Sequence, residues 1–247
     1  MIDICDFSLC VGNNALLKNI TLLAKENLAI IGKSGQGKSL FLKSLVLLLD
    51  KSYKIQAKKF QIGDYDLLQK KLNLKHLRRD FALILQDVNS SFYPYISIGD
   101  FFDMVLKEHF KLHKAQRKER VFSIFSKLRL DESLWNAYIH ELSGGMARRV
   151  QIALALCLEP KVLLCDEITS SLDEKNSQNI IHLLKDLKNT KLILVTHDLH
   201  LAKNLSQEII VLEKGEIIEQ TKTLDFFNNP KSSYGKEVLK LHKDHLC

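Results

Sequence analysis

Residues 32–39, Gly32, Lys33, Ser34, Gly35, Gln36, Gly37, Lys38 and Ser39, follow the pattern G-x-x-x-x-G-K-[ST]. Glycines at these positions let the backbone wrap closely around phosphate oxygens and turn its N–H groups inward, and a helix starting at the end of the loop adds partial positive charge. Lys38 is expected to reach the outer phosphates of a nucleotide, and Ser39 to offer its hydroxyl to Mg²⁺. Lys33 lies inside the loop with no role that its own chemistry assigns. The flanks that give this motif meaning are present, with the apolar run Leu28–Ile31 before it and a helix-forming run, residues 40–49, after it.

A second group of chemical residues ends another apolar run. Residues 162–165 lead into Asp166 and Glu167, and a buried strand end is an expensive place for two carboxylates unless metal or hydrogen bonds compensate. The division of labour expected is Asp166 toward Mg²⁺ through its water shell, and Glu167 toward the water that attacks the terminal phosphate. His197 follows a third apolar run, residues 192–195, and is placed to donate to the phosphate or to that water. His76, His182 and His200 lack such a setting and read as surface or packing residues.

The elements that must carry these groups can be read from the pattern. Three short apolar runs, each ending in functional polar residues and the first two followed by helix-length segments, imply a parallel sheet in an α/β fold. Between residues 86 and 142 the pattern turns helical, with stretches over 97–113 and 114–130, and reads as an insertion. Residues 208–220 alternate about Lys214 and Gly215 like a hairpin, and a last helix is expected after Pro230. With three prolines and no low-complexity stretch there is no sign of a flexible linker.

Ser143, Gly144 and Gly145 precede the apolar helix at 150–158 and offer a hydroxyl with unhindered backbone amides at a helix start. A second anion site on one chain makes sense if each copy caps a nucleotide held by another. In the order phosphate loop, Gln86, Ser143-Gly144-Gly145-Met146, Asp166-Glu167, Ser170-Ser171-Leu172-Asp173 and His197, the chain resembles the ATP-binding cassette (ABC) family over nearly its whole length. The resemblance implies a P-loop NTPase cassette spanning 1–247 as one domain. It would have a RecA-like core, an antiparallel β subdomain and a helical subdomain inserted at approximately 88–160. It further implies ATP and Mg²⁺ as ligands, and a head-to-tail pair of cassettes in which Ser143, Gly144 and Gly145 of one face the phosphate loop of the other. Gln86 would contact Mg²⁺ and sense the membrane partner, and Asp173 would link the two sites. Its partners would be transmembrane permease subunits, a second ATPase subunit of the same or a different chain, and an extracytoplasmic solute-binding protein. Its place would be peripheral, on the cytoplasmic face of the membrane, as an ATPase coupled to transport.

Local stretches, among them residues 86–94, 138–149 and 228–234, resemble the ATPases of peptide and nickel importers. The short carboxyl end without a cysteine cluster favours nickel, with peptide as the alternative. Met146 replaces a common Gln, Ile168 a usual Pro, and Val11 the aromatic residue that often stacks on adenine, for which Phe7 is a substitute candidate. A non-transport ABC protein acting on nucleic acid would suit the net charge of +7, but the insertion is compact and the lysines are scattered, so no nucleic-acid partner is expected. A P-loop kinase would leave Ser143, Gly144 and Gly145 unexplained. The five cysteines show no metal-site spacing and read as reduced thiols. His242, His245 and Cys247 are possible ligands for Ni²⁺ or Zn²⁺, but the tail carrying them reads as a solvated, frayed end. No apolar run is long enough to cross a bilayer, and no signal peptide is evident.

Overall fold

The computed structural model describes residues 2–170 and 172–244. In chain order the elements are β1 (Ile2–Val11), β2 (Asn14–Ala24), β3 (Leu28–Ile31), α1 (Lys38–Leu45), β4 (Tyr53–Gln56), β5 (Lys59–Ile62), β6 (Tyr65–Asp66), α2 (Leu74–Asp80), β7 (Phe81–Ile84), α3 (Ile98–His109), α4 (Lys114–Lys127), α5 (Gly144–Leu156), β8 (Val162–Asp166), α6 (Glu174–Lys185), β9 (Lys191–Val195), α7 (Leu199–Leu205), β10 (Glu208–Glu213), β11 (Glu216–Lys222), α8 (Thr223–Asn228) and α9 (Ser233–Asp244). They divide into two compact units, one formed by the chain up to Leu77 together with the chain from Lys191, the other by Arg78–Thr190.

In the first unit β1 pairs antiparallel with β2, β4 and β5, and β5 with β6. Buried residues alternate along β1 at Ile2 and Ile4 and again at Phe7 and Leu9, and along β2 at Ile20, Leu22 and Ala24, the period of two that buries one face of a sheet, broken by register shifts at the left-handed Asp6 and Asn19. The same unit holds the parallel set β10, β3 and β9, with β11 closing it as a hairpin partner of β10. All four residues of β3 are buried, as a strand covered on both faces requires. Lys214 and Gly215 take left-handed φ values of 51° and 81° at the hairpin tip, the arrangement that matches the right-handed twist of the two strands. Behind the sheet, Ala29, Ile31, Leu199, Ala202, Ile209, Val211, Phe226 and Leu239 form one core cluster. The start of α9 is tied to β11 through the buried Glu219, whose carboxylate accepts from the Lys231 N–H at 2.8 Å and the Ser232 N–H at 2.8 Å.

In the second unit β7 and β8 run parallel, Phe81 opposite Val162 through Ile84 opposite Cys165, and α3, α4 and α5 make the helical part between them in sequence. Ser97 caps α3 by accepting from the Asp100 N–H at 3.2 Å. Arg117 of α4 forks onto Asp103 of α3 at 2.7 and 3.1 Å, while Phe102 and Phe125 meet edge to face with centroids 5.6 Å apart. Gly99 is required where it stands, because a Cβ there would lie 2.3 Å from the Trp135 ring.

Several helices stop short of their expected ends. The residues after α1, α4 and α5 turn left-handed at Leu47, Arg129 and Glu159, with φ of 50°, 53° and 52°. After α1 the Leu48 N–H reaches Lys43 O at 2.9 Å and the Leu47 N–H reaches Ser44 O at 3.1 Å, the hydrogen-bond pair of a Schellman stop. Phe7, considered for adenine stacking, is unable to reach a base. It is fully buried in β1 against Phe60 and Phe41, centroids 4.5 and 6.3 Å away, and has no face for a ligand. His245 and Cys247 of the tail read as a solvated, frayed end lie outside the described residues. No described helix is long and apolar enough to cross a membrane.

Candidate nucleotide site

In the first unit the phosphate loop joins the buried end of β3 to α1. Gly37 is the N-cap of α1 with φ of 97° and no side chain to cap the helix. Gly32 permits close approach: a Cβ there would stand 2.2 Å from the backbone oxygen of Leu212. The Lys38 ammonium, buried at 8% exposure, donates to Gly32 O at 2.7 Å and to Lys33 O at 2.9 Å. It thus holds the loop in its curved form while keeping a cation at the loop's mouth. Ser34 and Gly35 are exposed, and Ser39 is half-buried in the first turn of α1. Gln36 accepts through its side-chain oxygen from the Lys214 N–H. Lys33 points away from the cradle, toward α9, where its ammonium meets Glu237 at 3.2 Å and lies over the Tyr234 ring at 5.8 Å.

His197 belongs to the same unit. β3 and β9 pair in parallel as far as Ile30 opposite Val195, so Gly32 and His197 each sit two residues beyond the last matched pair, at the carboxyl ends of neighbouring strands. That is the end where open α/β sheets place ligands. His197 is exposed there, and the Thr196 N–H before it donates to Ile30 O at 3.2 Å.

The second unit repeats this arrangement. With Ile84 opposite Cys165, Gln86 and Glu167 both lie two residues past the matched pair. Asp166 is 4% exposed and Glu167 is 9% exposed. Glu167 has a φ of 50°, a left-handed conformation that a residue with a Cβ adopts only where its surroundings impose it. Here Glu167 O accepts from the Ser170 N–H at 3.1 Å and from Ser170 Oγ at 2.7 Å, which closes the turn around it. Ile168, the next residue, is fully buried. Gln86 is exposed at the start of a loop that ends in a short 3-10 turn, Asn89–Ser91.

Ser143 caps α5, its Oγ accepting from the Met146 N–H at 3.4 Å, with Gly144 and Gly145 forming the first turn. Nothing stands within 4 Å of the place where a Gly144 Cβ would go, whereas a Gly145 Cβ would meet the Asn176 amide at 3.2 Å. Asp173 caps α6 and holds that amide, accepting from Asn176 N–H and Nδ2, both at 2.8 Å. These two hydrogen bonds, backbone first, keep the Asp173 carboxyl below its ordinary range. Asp173 and the Ser-Gly-Gly helix start are therefore neighbours through Asn176, a residue the sequence gives no reason to single out.

The oxygen donors expected for Mg²⁺ are of the kind that ion takes: a half-exposed hydroxyl at Ser39, an exposed amide at Gln86 and a buried carboxylate at Asp166. The buried Cys157, at the carboxyl end of α5, and Cys165, in β8, are inert by contrast. Burial pushes the Cys157 thiol up to about 12 and raises that of Cys165 as well.

A model of the ABC transporter family matches residues 18–170. This chain belongs to the ABC transporter family. It is 35% identical over 222 residues to a dipeptide transport ATP-binding protein of Haemophilus influenzae, covering 87% of this chain and 67% of that one. It is also 35% identical over 227 residues to an oligopeptide transport ATP-binding protein of Salmonella typhimurium, covering 90% of this chain and 68% of the other. The chain thus spans about two thirds of the length of these relatives. Among solved structures it matches the dimeric, post-hydrolysis ATP-binding cassette MJ0796 bound to ADP and Pi, with a TM-score of 0.79, 28% identity, and coverage of 90% of this chain and 99% of that one. The fold is accordingly that of an ABC ATPase cassette, and the chain carries the ATPase domain of the family.

Proposed function

We propose that this chain is the ATP-hydrolysing subunit of an ABC importer for peptides, acting as one cassette at the cytoplasmic face of a membrane through permease subunits. The observation that carries the catalytic part is Glu167, a buried carboxylate held left-handed immediately after Asp166 and in register with Gln86. Peptide rather than nickel as cargo is favoured by the names of the relatives above, which are dipeptide and oligopeptide transport proteins.

In this reading Gly32, Ser34, Gly35, Gln36 and Gly37 present backbone amides to the phosphates, and Lys38 leaves its loop carbonyls to neutralise them. Lys33, turned toward α9, contributes its backbone alone. Ser39, Gln86 and Asp166 would hold Mg²⁺, which when bound neutralises charge on the phosphates. Glu167 accepts a proton from water as the water oxygen bonds to the terminal phosphorus, and the bond to ADP breaks. His197 donates to the terminal phosphate. Ser143, Gly144, Gly145 and Asp173 serve the nucleotide of a second cassette, and the helices within 88–160 carry the resulting motion to the permease. A solute-binding protein outside the membrane would deliver the peptide.

Glu167→Gln removes the base while keeping size and hydrogen bonding. Equilibrium binding of ATP is expected to stay within about twofold of wild type, while turnover falls by about 10²-fold or more. Normal turnover in this variant would refute the assignment.

A further inference from the structure

Helix α5, which begins at Ser143, also carries a buried cation. Arg148 is 4% exposed, and burial lowers its pKa from the ordinary arginine value. Its guanidinium faces the loop that leaves β7: Nη1 donates to Leu85 O at 2.9 Å and Nη2 to Gln86 O at 2.7 Å. One turn further along, the buried Gln151 orients it by accepting from Nη1 at 2.9 Å. Gln151 in turn donates from Nε2 to Leu85 O at 3.1 Å and to Ser91 Oγ at 2.7 Å. The two side chains thus grip both ends of the loop at 85–91.

β7 ends at Ile84, so the carbonyls of Leu85 and Gln86 have left the strand and need donors of their own. A guanidinium supplies two in a fixed fork, which a flexible ammonium does not. Burying a charge in this place is costly unless the fork is kept, which opposes separation of the loop from α5. Within the loop, Asp87 accepts from the Asn89 N–H at 3.0 Å and from Ser90 Oγ at 2.8 Å, which stiffens the segment that Arg148 holds.

We propose that Arg148, oriented by Gln151, is a positioning residue that ties the backbone of Gln86 to the helix beginning at Ser143, so that displacement of that helix start moves the Gln86 side chain. The functional side of this inference rests on the proposed role of Gln86 toward Mg²⁺. The mechanical side rests on the hydrogen bonds alone.

The test uses the full-length chain with Arg148→Met, which keeps the apolar stem and removes the donors, and Arg148→Lys, which keeps the charge and loses the fork. Amide hydrogen exchange at 86–91 is expected to accelerate by about tenfold in Arg148→Met, and less in Arg148→Lys, with exchange in α1 unchanged. ATP binding without Mg²⁺ should stay within about twofold, while the Mg²⁺ concentration for half-maximal turnover rises and kcat falls by about tenfold to hundredfold. If Arg148→Met does not fold, Arg148→Lys and Gln151→Leu carry the same readouts. Unchanged exchange at 86–91 in a folded variant overturns the brace, and a loosened loop with an unchanged Mg²⁺ requirement overturns its role toward Gln86. A wild-type chain that hydrolyses no ATP would sink the proposed function instead, while the exchange measurement still decides whether Arg148 holds the loop.

Discussion

Two glycines of the phosphate loop are retained for different physical reasons, and substitution separates them. At Gly32 an added Cβ would collide with the Leu212 backbone oxygen at 2.2 Å, and a backbone atom cannot swing aside. Gly32→Ala is expected to destabilise the chain by about 3 kcal/mol in urea unfolding. At Gly35 the space is open but φ is 78°, so Gly35→Ala should cost only about 1 kcal/mol from backbone strain. Equal losses would contradict this division. Both positions were legible from the motif. Arg148 was not, because one of two adjacent arginines at the start of a helix reads as surface until the loop it holds is seen. Phe7 failed in the opposite sense, since an aromatic residue near the expected adenine position proved to be part of the core of β1.

At the scale of elements, the helix starts at Ser97, Ser143 and Asp173 follow side-chain caps, a local signal that a sequence displays. The ends after α1, α4 and α5 use Leu47, Arg129 and Glu159 in a left-handed conformation where glycine is the usual sign, and so the expected helices ran on by two to four residues. The register of α3 on α4 depends on a pair far apart in sequence, Asp103 and Arg117. The Arg117 hydrogen bond holds the Asp103 carboxyl below its ordinary value of 3.8, outweighing desolvation. A depressed carboxyl contributes stability that is fully present above the unfolded value and is lost as pH falls through the folded one. Asp103→Asn is therefore expected to lower stability by about 2 kcal/mol near neutral pH. The gap to wild type should narrow as the pH drops below 3.8. A gap that stays constant in acid would show that packing, not the ion pair, carries the effect.

At the scale of the whole molecule, the proposed function assigns choice of cargo to the permease and solute-binding subunits rather than to this chain. With peptide as the proposed cargo, cells lacking the chain should lose uptake of a labelled dipeptide by about tenfold or more while uptake of labelled Ni²⁺ is unchanged, because a cassette with impaired turnover stalls the transport step it drives. The reverse pattern would restore the nickel reading. Restoration of dipeptide uptake by the wild-type chain, but not by Glu167→Gln, would tie the transport to this site.

The sequence by itself determined the family, because a phosphate loop and helix caps demand particular residues at short, fixed spacings. It also marked the buried strands that carry those residues, because apolar runs and strand ends are local. Tertiary structure alone decided which neighbours act together. The matched strand ends place Gln86 in register with Glu167, and Gly32 with His197. The amide of Asn176 lies between Asp173 and Gly145, and the Arg148 fork spans to the carbonyls of residues 85 and 86. These relations join residues up to 165 positions apart in the numbering, as in the bond from the Leu192 N–H to Asn27 that seats β9. Register and long-range packing set them, and neither leaves a local pattern in the chain.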